Sequence, residues 1–286
     1  MKILVTGAGG LVGSHCVSLL AARHSLVGRA HRELDICDFD AVRSCLERTE
    51  PDAVINCAMA PVDACEREPE RARAVNVDGP AVLAEACAAR RIQLVHFSSN
   101  YVFAGMEQGR AAYTVHDEPA PLNEYGRSKL AGERAVRERL AAYHIVRISW
   151  VYGPVHANFL GAIHRELRAR RPVRAIADAW ANTTYAPDLI ERVDELLQRR
   201  CYGVHHVVSD GICSREDFAR EAARLVGLSA AEATTLIELV SESGAGQQAP
   251  RPRWSPLASS TTAATPMPPL RHWREALREH VTLSSL

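Results

Sequence analysis

A glycine-rich loop stands at the start of the chain, between a short apolar run and an amphipathic stretch. The run Lys2–Thr6 is apolar enough for a buried strand, and residues 11–23 have apolar side chains at helical spacing. Between them lies the pattern G-x-x-G-x-x-G. After a strand and before a helix, such glycines permit a tight turn, the close approach of a pyrophosphate and tight helix packing. The residues predicted to contact a dinucleotide there are Gly7, Gly9, Gly10, Leu11, Val12 and Gly13.

Strand and helix signals alternate over the first half of the chain. Further strands are predicted at 25–29, 53–57, 93–97 and 144–150, and helices at 39–48, 69–91 and 124–140. Apolar strands that are separated by helices imply a parallel sheet covered on both faces. We therefore expect an α/β fold with a doubly wound parallel Rossmann sheet.

The pattern becomes irregular after Trp150. Short strands are predicted at 173–176 and 204–208, with a helix at 187–199 between them. We expect residues 1–152 and 173–208 to form the dinucleotide-binding Rossmann domain. Residues 153–172 and 209–286 are expected to form a smaller C-terminal substrate-binding region. The stretch 241–269 is rich in Ser, Ala, Thr and Pro, and we expect either a loop that closes over a site or partial disorder.

The composition argues against several classes of function. Lys and Arg together number 34, as do Asp and Glu, so no nucleic-acid partner is expected. No apolar run approaches the ~20 residues that span a bilayer, so no membrane partner is expected either. The eight cysteines lack C-x-x-C pairs and zinc spacing, which predicts reduced core cysteines in a cytoplasmic protein without a metal site.

The end of the second predicted strand bears on the choice of cofactor. An acidic residue there would bind the ribose hydroxyls of NAD, but the stretch 28–32 contains none. Arg29, His31 and Arg32 are predicted to hold a 2′-phosphate, which favours NADPH over NADH. The alternative is that they are solvated surface cations. Asp35 and Ile36, just beyond, are predicted to lie against the adenine.

A Y-x-x-x-K sequence predicts the catalytic residues. Tyr125 and Lys129 share one face of a helix, so the lysine can stabilise a tyrosinate and lower the pKa of the phenol from about 10. The phenol could then give a proton to a ketone oxygen. Ser98 and Ser99 end the fourth predicted strand, where ligands of parallel sheets bind, and Ser99 can hydrogen-bond the substrate carbonyl. The alternatives are a surface Tyr–Lys pair and serines that cap a strand end.

Several stretches together resemble one known family, the dTDP-4-dehydrorhamnose reductases of the extended short-chain dehydrogenase/reductase superfamily. Besides the glycine loop they are NCA at 56–58, HFSSNYVF at 96–103, PLNEYG at 121–126, KLAGE at 129–133, RISWVYG at 147–153, NF at 158–159, RP at 251–252 and Trp273. The resemblance covers nearly the whole chain. It implies reduction of the 4-keto group of a nucleotide-linked deoxysugar by NAD(P)H.

The resemblance also implies roles for individual residues. Ser99, Tyr125 and Lys129 correspond to the hydroxyl, the acid and its helper. The further residues that it implies at the cofactor are Cys57, Ala58, Met59, Asn76 and Ser98. Those that it implies at the substrate are Ser99, Asn100, Tyr101, Trp150, Asn158 and Asn182. Trp150 could instead be plain core, and Asn76 could serve as a hydrogen-bonding residue inside its helix.

Three departures from the family pattern concern the substrate side. Asn100 replaces the usual Asp, and the segment after Asn56 is one residue short. The family's D-Q-x-G-x-P-T segment reads DAWANTT at 178–184. These changes put the rhamnose precursor in doubt more than the reductase chemistry.

We therefore expect an NADPH-preferring ketoreductase whose partner is a small sugar nucleotide or a related polar ketone, with a homodimer as a further expectation. A regulatory subunit of a methionine adenosyltransferase is one alternative, which the intact catalytic trio disfavours. A sugar-nucleotide epimerase or dehydratase is another. Arg251 and Arg253, between prolines, are predicted to clamp the diphosphate of the substrate; the alternative is solvated loop charges.

Overall fold

The computed structural model describes residues 1–105, 111–155, 158–259 and 267–284. The strands are β1 (Lys2–Thr6), β2 (Ser25–Arg29), β3 (Ala53–Asn56), β4 (Gln93–Ser99), β5 (Tyr143–Ile148), β6 (Val151–Tyr152), β7 (Val173–Ile176), β8 (Trp180–Ala181), β9 (Thr184–Tyr185), β10 (Gly203–His206), β11 (Ser209–Asp210), β12 (Cys213–Ser214), β13 (Ile237–Val240) and β14 (Leu270–His272). The α-helices are α1 (Leu11–Leu20), α2 (Phe39–Thr49), α3 (Val62–Arg67), α4 (Pro69–Arg73), α5 (Gly79–Ala88), α6 (Glu124–Arg139), α7 (Phe159–Arg168), α8 (Ala186–Arg199), α9 (Arg215–Leu225), α10 (Ala230–Leu236) and α11 (Trp273–Leu283). A π-helical turn (Ala74–Asp78) joins α4 to α5, and a 3-10 turn (Asn100–Val102) follows β4.

Six parallel strands form the main sheet, in the order β2-β1-β3-β4-β5-β10. Successive residues of a strand point to opposite faces, so Ile3 and Val5 contact one core cluster while Leu4 contacts the other. α1 and α8 cover the first face, and α2, α5 and α6 cover the second. Both faces are buried, which is why these strands are apolar throughout. The predicted doubly wound Rossmann sheet is confirmed.

A second core lies in the C-terminal half and is built on α7, α9 and α11, with Trp273 and Phe218 fully buried in it. Strand β7 contributes Val173 and Ala175 to this core and pairs with β13, not with the main sheet. The Rossmann domain was expected to resume at residue 173. Its first strand instead belongs with the C-terminal region, because its apolar side chains face that core. α8 and β10, later in the same expected span, do lie on the main sheet.

Two predicted elements end or break where the backbone changes conformation. β5 stops at Ile148, short of residue 150, and Trp150 has φ +38°, which no extended strand tolerates. The long helix predicted at 69–91 is divided by the π-helical turn. Residues 156–157, 260–266 and 285–286 of the expected substrate-binding region lie outside the described residues. No helix within the described ranges is both long and apolar enough to cross a bilayer.

Residues 247–258, here called the C-terminal strap, run back across the end of β4. The backbone of the strap is hydrogen-bonded to Gly105 and to Tyr113. The Asn123 amide donates to the Pro250 carbonyl at 2.7 Å, and the Leu257 N–H donates to Asn182 at 2.7 Å. The described part of the expected 241–269 loop therefore crosses the edge of the sheet where a Rossmann ligand binds.

Candidate active site

The glycine-rich loop has the conformation that the pattern requires. Gly7 has φ +64°, and a Cβ there would lie 2.6 Å from the Ala58 nitrogen. A Cβ on Gly13 would collide with the carbonyl oxygen of Gly7, so both positions need glycine. α1 begins after Gly10 without a side-chain cap, and Gly9 and Gly10 are exposed. The first-turn N–H groups therefore face an open cradle that fits a pyrophosphate.

The end of β3 lies against this cradle. Cys57 donates its N–H to the Thr6 carbonyl, and its sulfur is 4.0 Å from that of Cys16 on α1. Met59, two residues on, is 44% exposed. The backbone of Cys57 and Ala58 borders the loop at Gly7, and the cofactor roles of Cys57, Ala58 and Met59 stay predictions.

The three cations after β2 are free of acidic partners within the described ranges. Arg29 donates only to the neighbouring Gly28 carbonyl, and His31 and Arg32 are exposed. This arrangement suits a 2′-phosphate. Asp35 is exposed, but Ile36 is buried in the core against Gly79. Its side chain therefore packs the sheet face and is not an open wall for adenine, contrary to the prediction.

Ser99, Tyr125 and Lys129 converge at the carboxyl edge of the sheet. Ser99 is the last residue of β4. Helix α6 begins at Glu124, and the Asn123 side chain caps it by accepting the Gly126 N–H at 2.8 Å. A Cβ on Gly126 would collide with the Tyr101 carbonyl, so the helix lies tightly against the 3-10 turn. The Tyr125 phenol and the Lys129 ammonium are both buried there.

The electrostatics of this trio differ from the prediction in one respect. Burial raises the pKa of Tyr125, and the hydrogen bond with Ser99 opposes this rise. Burial lowers the pKa of Lys129 to about 8, against the attraction of Glu133. The expected lowering of the phenol's pKa by the lysine is not found, because the apolar surroundings, with Tyr101 5.9 Å away centroid to centroid, dominate. A phenol with a raised pKa stays protonated and can act as an acid.

Ser98 and Asn76 support the trio. The Ser98 hydroxyl donates to Glu133 at 2.5 Å, and Glu133 forms a buried ion pair with Arg147 at 2.7 Å. The side chain of Ser98 thus faces this ion pair and not a cofactor. The Asn76 amide donates to Ser128 at 3.0 Å and accepts the Ala60 N–H at 2.9 Å. Its full burial favours the hydrogen-bonding role inside the helix over direct cofactor contact.

On the substrate side, Asn100 and Tyr101 lie beside the trio. Asn100 accepts the Ser99 hydroxyl at 3.2 Å and donates to the Ser255 hydroxyl at 2.8 Å, which ties β4 to the strap. Tyr101 packs edge-on against Tyr125. Trp150 is partly buried, and its left-handed backbone is a strained conformation of the kind that collects at functional sites.

Asn158 and Asn182 do not fit their predicted substrate roles. Asn158 caps α7, accepting the Gly161 N–H at 2.9 Å and donating to the Val151 carbonyl at 2.5 Å. Asn182 donates to the Ser209 and Gly211 carbonyls and accepts the Leu257 N–H. Because backbone groups use these amides, both residues fix the chain and do not present free polar groups to a ligand.

The arginines of the strap are both held by acids. Arg251 forms a two-pronged ion pair with Asp63, with both N–O distances 3.0 Å, and is 10% exposed. The hydrogen bonds from Arg251, together with the charge of its guanidinium, hold the pKa of Asp63 below the ordinary value. Arg253 lies 3.4 Å from Asp178 and is 58% exposed. Neither is a free diphosphate clamp in this conformation.

Sequence reasoning missed Glu133, Asp63 and Arg215. Glu133 lies one helical turn after Lys129, so the i, i+4 spacing could have shown it. Arg215 directly follows Ser214, whose capping box with Asp217 marks the start of α9 and could have placed it. Asp63 gave no local signal, because its partner is 188 residues away.

Comparison with known proteins identifies the family. A family model, described as the RmlD substrate binding domain, matches residues 1–285. The dTDP-4-dehydrorhamnose reductase of Mycolicibacterium smegmatis is 38% identical over 287 residues, covering 98% of this chain and 85% of that protein. Crystal structures of dTDP-4-dehydrorhamnose reductases from Clostridium acetobutylicum and Bacillus anthracis both give a TM-score of 0.91, at 31% and 29% identity. The first comparison covers 100% of both chains and the second 99%; the Bacillus anthracis protein was solved in complex with NADP. This chain therefore belongs to the dTDP-4-dehydrorhamnose reductase family of oxidoreductases.

Proposed function

We propose that this protein is an NADPH-dependent reductase of a 4-keto-deoxysugar carried on a nucleotide. The observation that carries the proposal is the convergence of Ser99, Tyr125 and Lys129 at the sheet edge beside the glycine cradle. Membership of the reductase family supports the same reaction class.

The cofactor assignment rests on the cradle and on the cations after β2. Gly7 and Gly13 keep the loop open to a pyrophosphate. Arg29, His31 and Arg32 form no ion pair with an acid in the described ranges, so their N–H groups can bind a 2′-phosphate. The Bacillus anthracis relative binds NADP. When bound, NADPH supplies the hydride.

The residues of the chain supply the proton and the geometry. Tyr125 donates its phenolic proton to the oxygen of the ketone, and the Ser99 hydroxyl hydrogen-bonds that oxygen and fixes the carbonyl in reach of the phenol. The Lys129 ammonium stabilises the tyrosinate that remains after proton transfer. Burial of all three side chains excludes water, which strengthens these interactions.

The substrate class follows from the relatives, but the altered segment 178–184 leaves the particular sugar open. The assay should therefore use a panel of dTDP- and UDP-linked 4-keto sugars, with NADPH oxidation followed by absorbance. Net NADPH consumption with at least one of them is the expected result. Sugar interconversion without net NADPH consumption would point to an epimerase, and NADPH binding without turnover of any ketone would point to a regulatory subunit.

Tyr125→Phe tests the acid. The variant should lose about 10²–10⁴-fold in kcat, since only the proton donor is removed, while the Kd for NADPH stays close to the wild-type value. Tyr143→Phe, at the start of β5 and away from the site, is the matched control. Activity of Tyr125→Phe within a few-fold of the control would contradict the assignment.

A further inference from the structure

Arg215 is a half-buried arginine whose guanidinium stacks on aromatic rings. It is the first residue of α9, and its guanidinium lies over two aromatic rings, 5.2 Å from the centroid of Trp150 and 5.8 Å from that of Phe159. Its Nε is buried and has no hydrogen-bond partner. It forms no ion pair with any residue in the described ranges.

Arg215 lies at the same edge of the sheet as the catalytic trio, because Ile148 of β5 pairs with Ser99 and Trp150, beneath Arg215, follows two residues later. Its charge acts on the Tyr101 phenol, lowering a pKa that burial raises, and Tyr101 packs against Tyr125. Its charge also acts on Glu242, where it opposes a rise in pKa that burial causes. The backbone N–H of Glu242 donates to Asp178 at 2.6 Å, which fixes this segment beside the site.

The other cations at this edge are already neutralised by acids. Arg251 is paired with Asp63, and Arg253 with Asp178. Arg215 differs from both, because no carboxylate in the described part of the chain lies within ion-pair distance of its guanidinium. The guanidinium of Arg215 is therefore available to an anion from outside the chain.

The buried Nε of Arg215 lowers the stability of the fold as long as it has no hydrogen-bond partner. Desolvation of a polar group without a hydrogen-bond partner is unfavourable, and contact of the guanidinium with aromatic faces offsets this only in part. The ring of Trp150 lies beneath the charge, on a backbone with φ +38°, a conformation that is itself unfavourable. An unpartnered buried donor and a strained backbone that occur together at the edge of a catalytic site indicate that a ligand binds there.

We propose that Arg215, supported by Trp150, binds phosphate oxygens of the nucleoside diphosphate on the substrate. The planar guanidinium presents parallel N–H donors that match a phosphate in a two-pronged contact. A 4-keto sugar with its ketone at Tyr125 has its anomeric diphosphate on the opposite side of the ring, away from the phenol. Arg215 would then select the nucleotide-linked sugar over a free sugar. The inference rests on the proposed function, because it needs a nucleotide-linked substrate.

Binding of dTDP, measured by calorimetry with and without NADPH, tests the proposal apart from turnover. Arg215→Gln should weaken dTDP binding about 10-fold or more, the size expected for loss of a charge-assisted contact, while the Kd for NADPH changes less than about twofold. Arg215→Lys, which keeps the charge but loses the planar fork, should recover only part of the affinity. Arg220→Gln, one turn later on α9 and paired with Glu216, is the matched control and should bind dTDP like the wild type.

Three results would overturn the inference. Unchanged dTDP affinity in Arg215→Gln would remove Arg215 from the diphosphate site. Weakened NADPH binding with unchanged dTDP binding would assign Arg215 to a phosphate of the cofactor. Failure of the wild type to bind dTDP would overturn it together with the nucleotide-linked substrate. Reduction of keto-sugar nucleotides by the wild type, combined with normal dTDP binding by Arg215→Gln, would leave the proposed function standing and refute only this inference.

Discussion

Among the residues of the site, Lys129 has a charged form that burial destabilises. It is 3% exposed, and burial lowers its pKa from 10.5 to about 8. Glu133, one turn away, opposes this shift, but its carboxylate is already shared between Arg147 and Ser98. The buried ammonium therefore lowers the free energy of unfolding, and we expect the proposed catalytic role to depend on this unfavourable burial.

Replacing Lys129 by Met should separate stability from activity. Below pH 8 both the folded and the unfolded wild type hold the proton, so the full penalty of burial is present. Between pH 8 and 10.5 only the unfolded chain keeps it, so wild-type stability rises with pH across this window. Lys129→Met should thus be about 1–3 kcal/mol more stable at pH 7, with the difference vanishing near the top of the window, and nearly inactive.

Thermal unfolding at pH 7 and at pH 10 measures this effect. Lys2→Met is the matched control, because Lys2 is the only other lysine of the chain and lies partly exposed on β1. A Lys129→Met variant that is less stable than the wild type at pH 7 would show that the ammonium stabilises the fold, contrary to this account.

The cations after β2 should decide the choice between the two nicotinamide cofactors. Arg29→Ala combined with Arg32→Ala removes the charge offered to a 2′-phosphate, so the Kd for NADPH should rise about tenfold or more while the Kd for NADH changes little. Fluorescence titration at low and moderate salt measures both. Arg43→Ala, exposed on α2 beside Asp40, is the control. Equal affinity of the wild type for NADPH and NADH would refute the preference.

At the scale of elements, helix α6 is positioned by contacts that admit no side chain. Gly126 lies against the Tyr101 carbonyl and Gly132 against the Asn76 carbonyl, and a Cβ at either position would collide with backbone. The Asn76 carbonyl belongs to the π-helical turn, where the irregular backbone lets α6 approach closely. Tyr125 and Lys129 lie on the stretch of α6 between these two contacts or next to them, so the contacts fix the catalytic face.

Gly132→Ala should therefore damage both stability and chemistry. Backbone cannot yield as a flexible side chain does, so the helix must shift, at a cost of about 1–3 kcal/mol. We expect a lower Tm and a fall in kcat with little change in the Kd for NADPH. Arg134→Ala, on the exposed side of the same helix, is the control for helix propensity. A Gly132→Ala variant with wild-type Tm would show that the close approach is not required.

At the scale of the whole molecule, the C-terminal strap joins the two halves across the site. Asp63 on α3 accepts the Gln248 and Ala249 N–H groups and both prongs of Arg251, while Asn100 holds Ser255. These contacts link the strap to the Rossmann domain directly above the catalytic edge. At the first residues of the strap, four hydrogen bonds go to the single carboxylate of Asp63.

Asp63→Ala should release that end of the strap. Four hydrogen bonds are lost together, and the Arg251 charge stays largely buried without its acid, so the KM for the sugar nucleotide should rise while the Kd for NADPH stays constant. Amide hydrogen exchange at Gln248 and Ala249 should speed up in parallel. Glu68→Ala, which removes an exposed ion pair with Arg71 close to α3, is the control and should have little effect on either quantity. Slow exchange at both amides in Asp63→Ala would mean that other contacts hold the strap.

The sequence by itself determined the parts of this protein that depend on local pattern. The glycine spacing, the apolar strands and the Y-x-x-x-K helix each follow from residues that are near each other in the chain. The Rossmann sheet and the positions of Ser99, Tyr125 and Lys129 could therefore be predicted. The strands of a sheet that is buried on both faces are continuous apolar stretches of sequence, and such stretches can be recognised without knowledge of the tertiary structure.

Only the tertiary structure decided which long-range partner each polar group has. Ile36 is part of the core because Gly79 leaves it room, Asn182 is hydrogen-bonded to three backbone groups from two segments, and Arg251 pairs with Asp63 across 188 residues. The same packing left Arg215 without an acid and reversed the expected shift in the pKa of Tyr125. Burial and distant charge set these properties, and neither is encoded in the spacing of neighbouring residues.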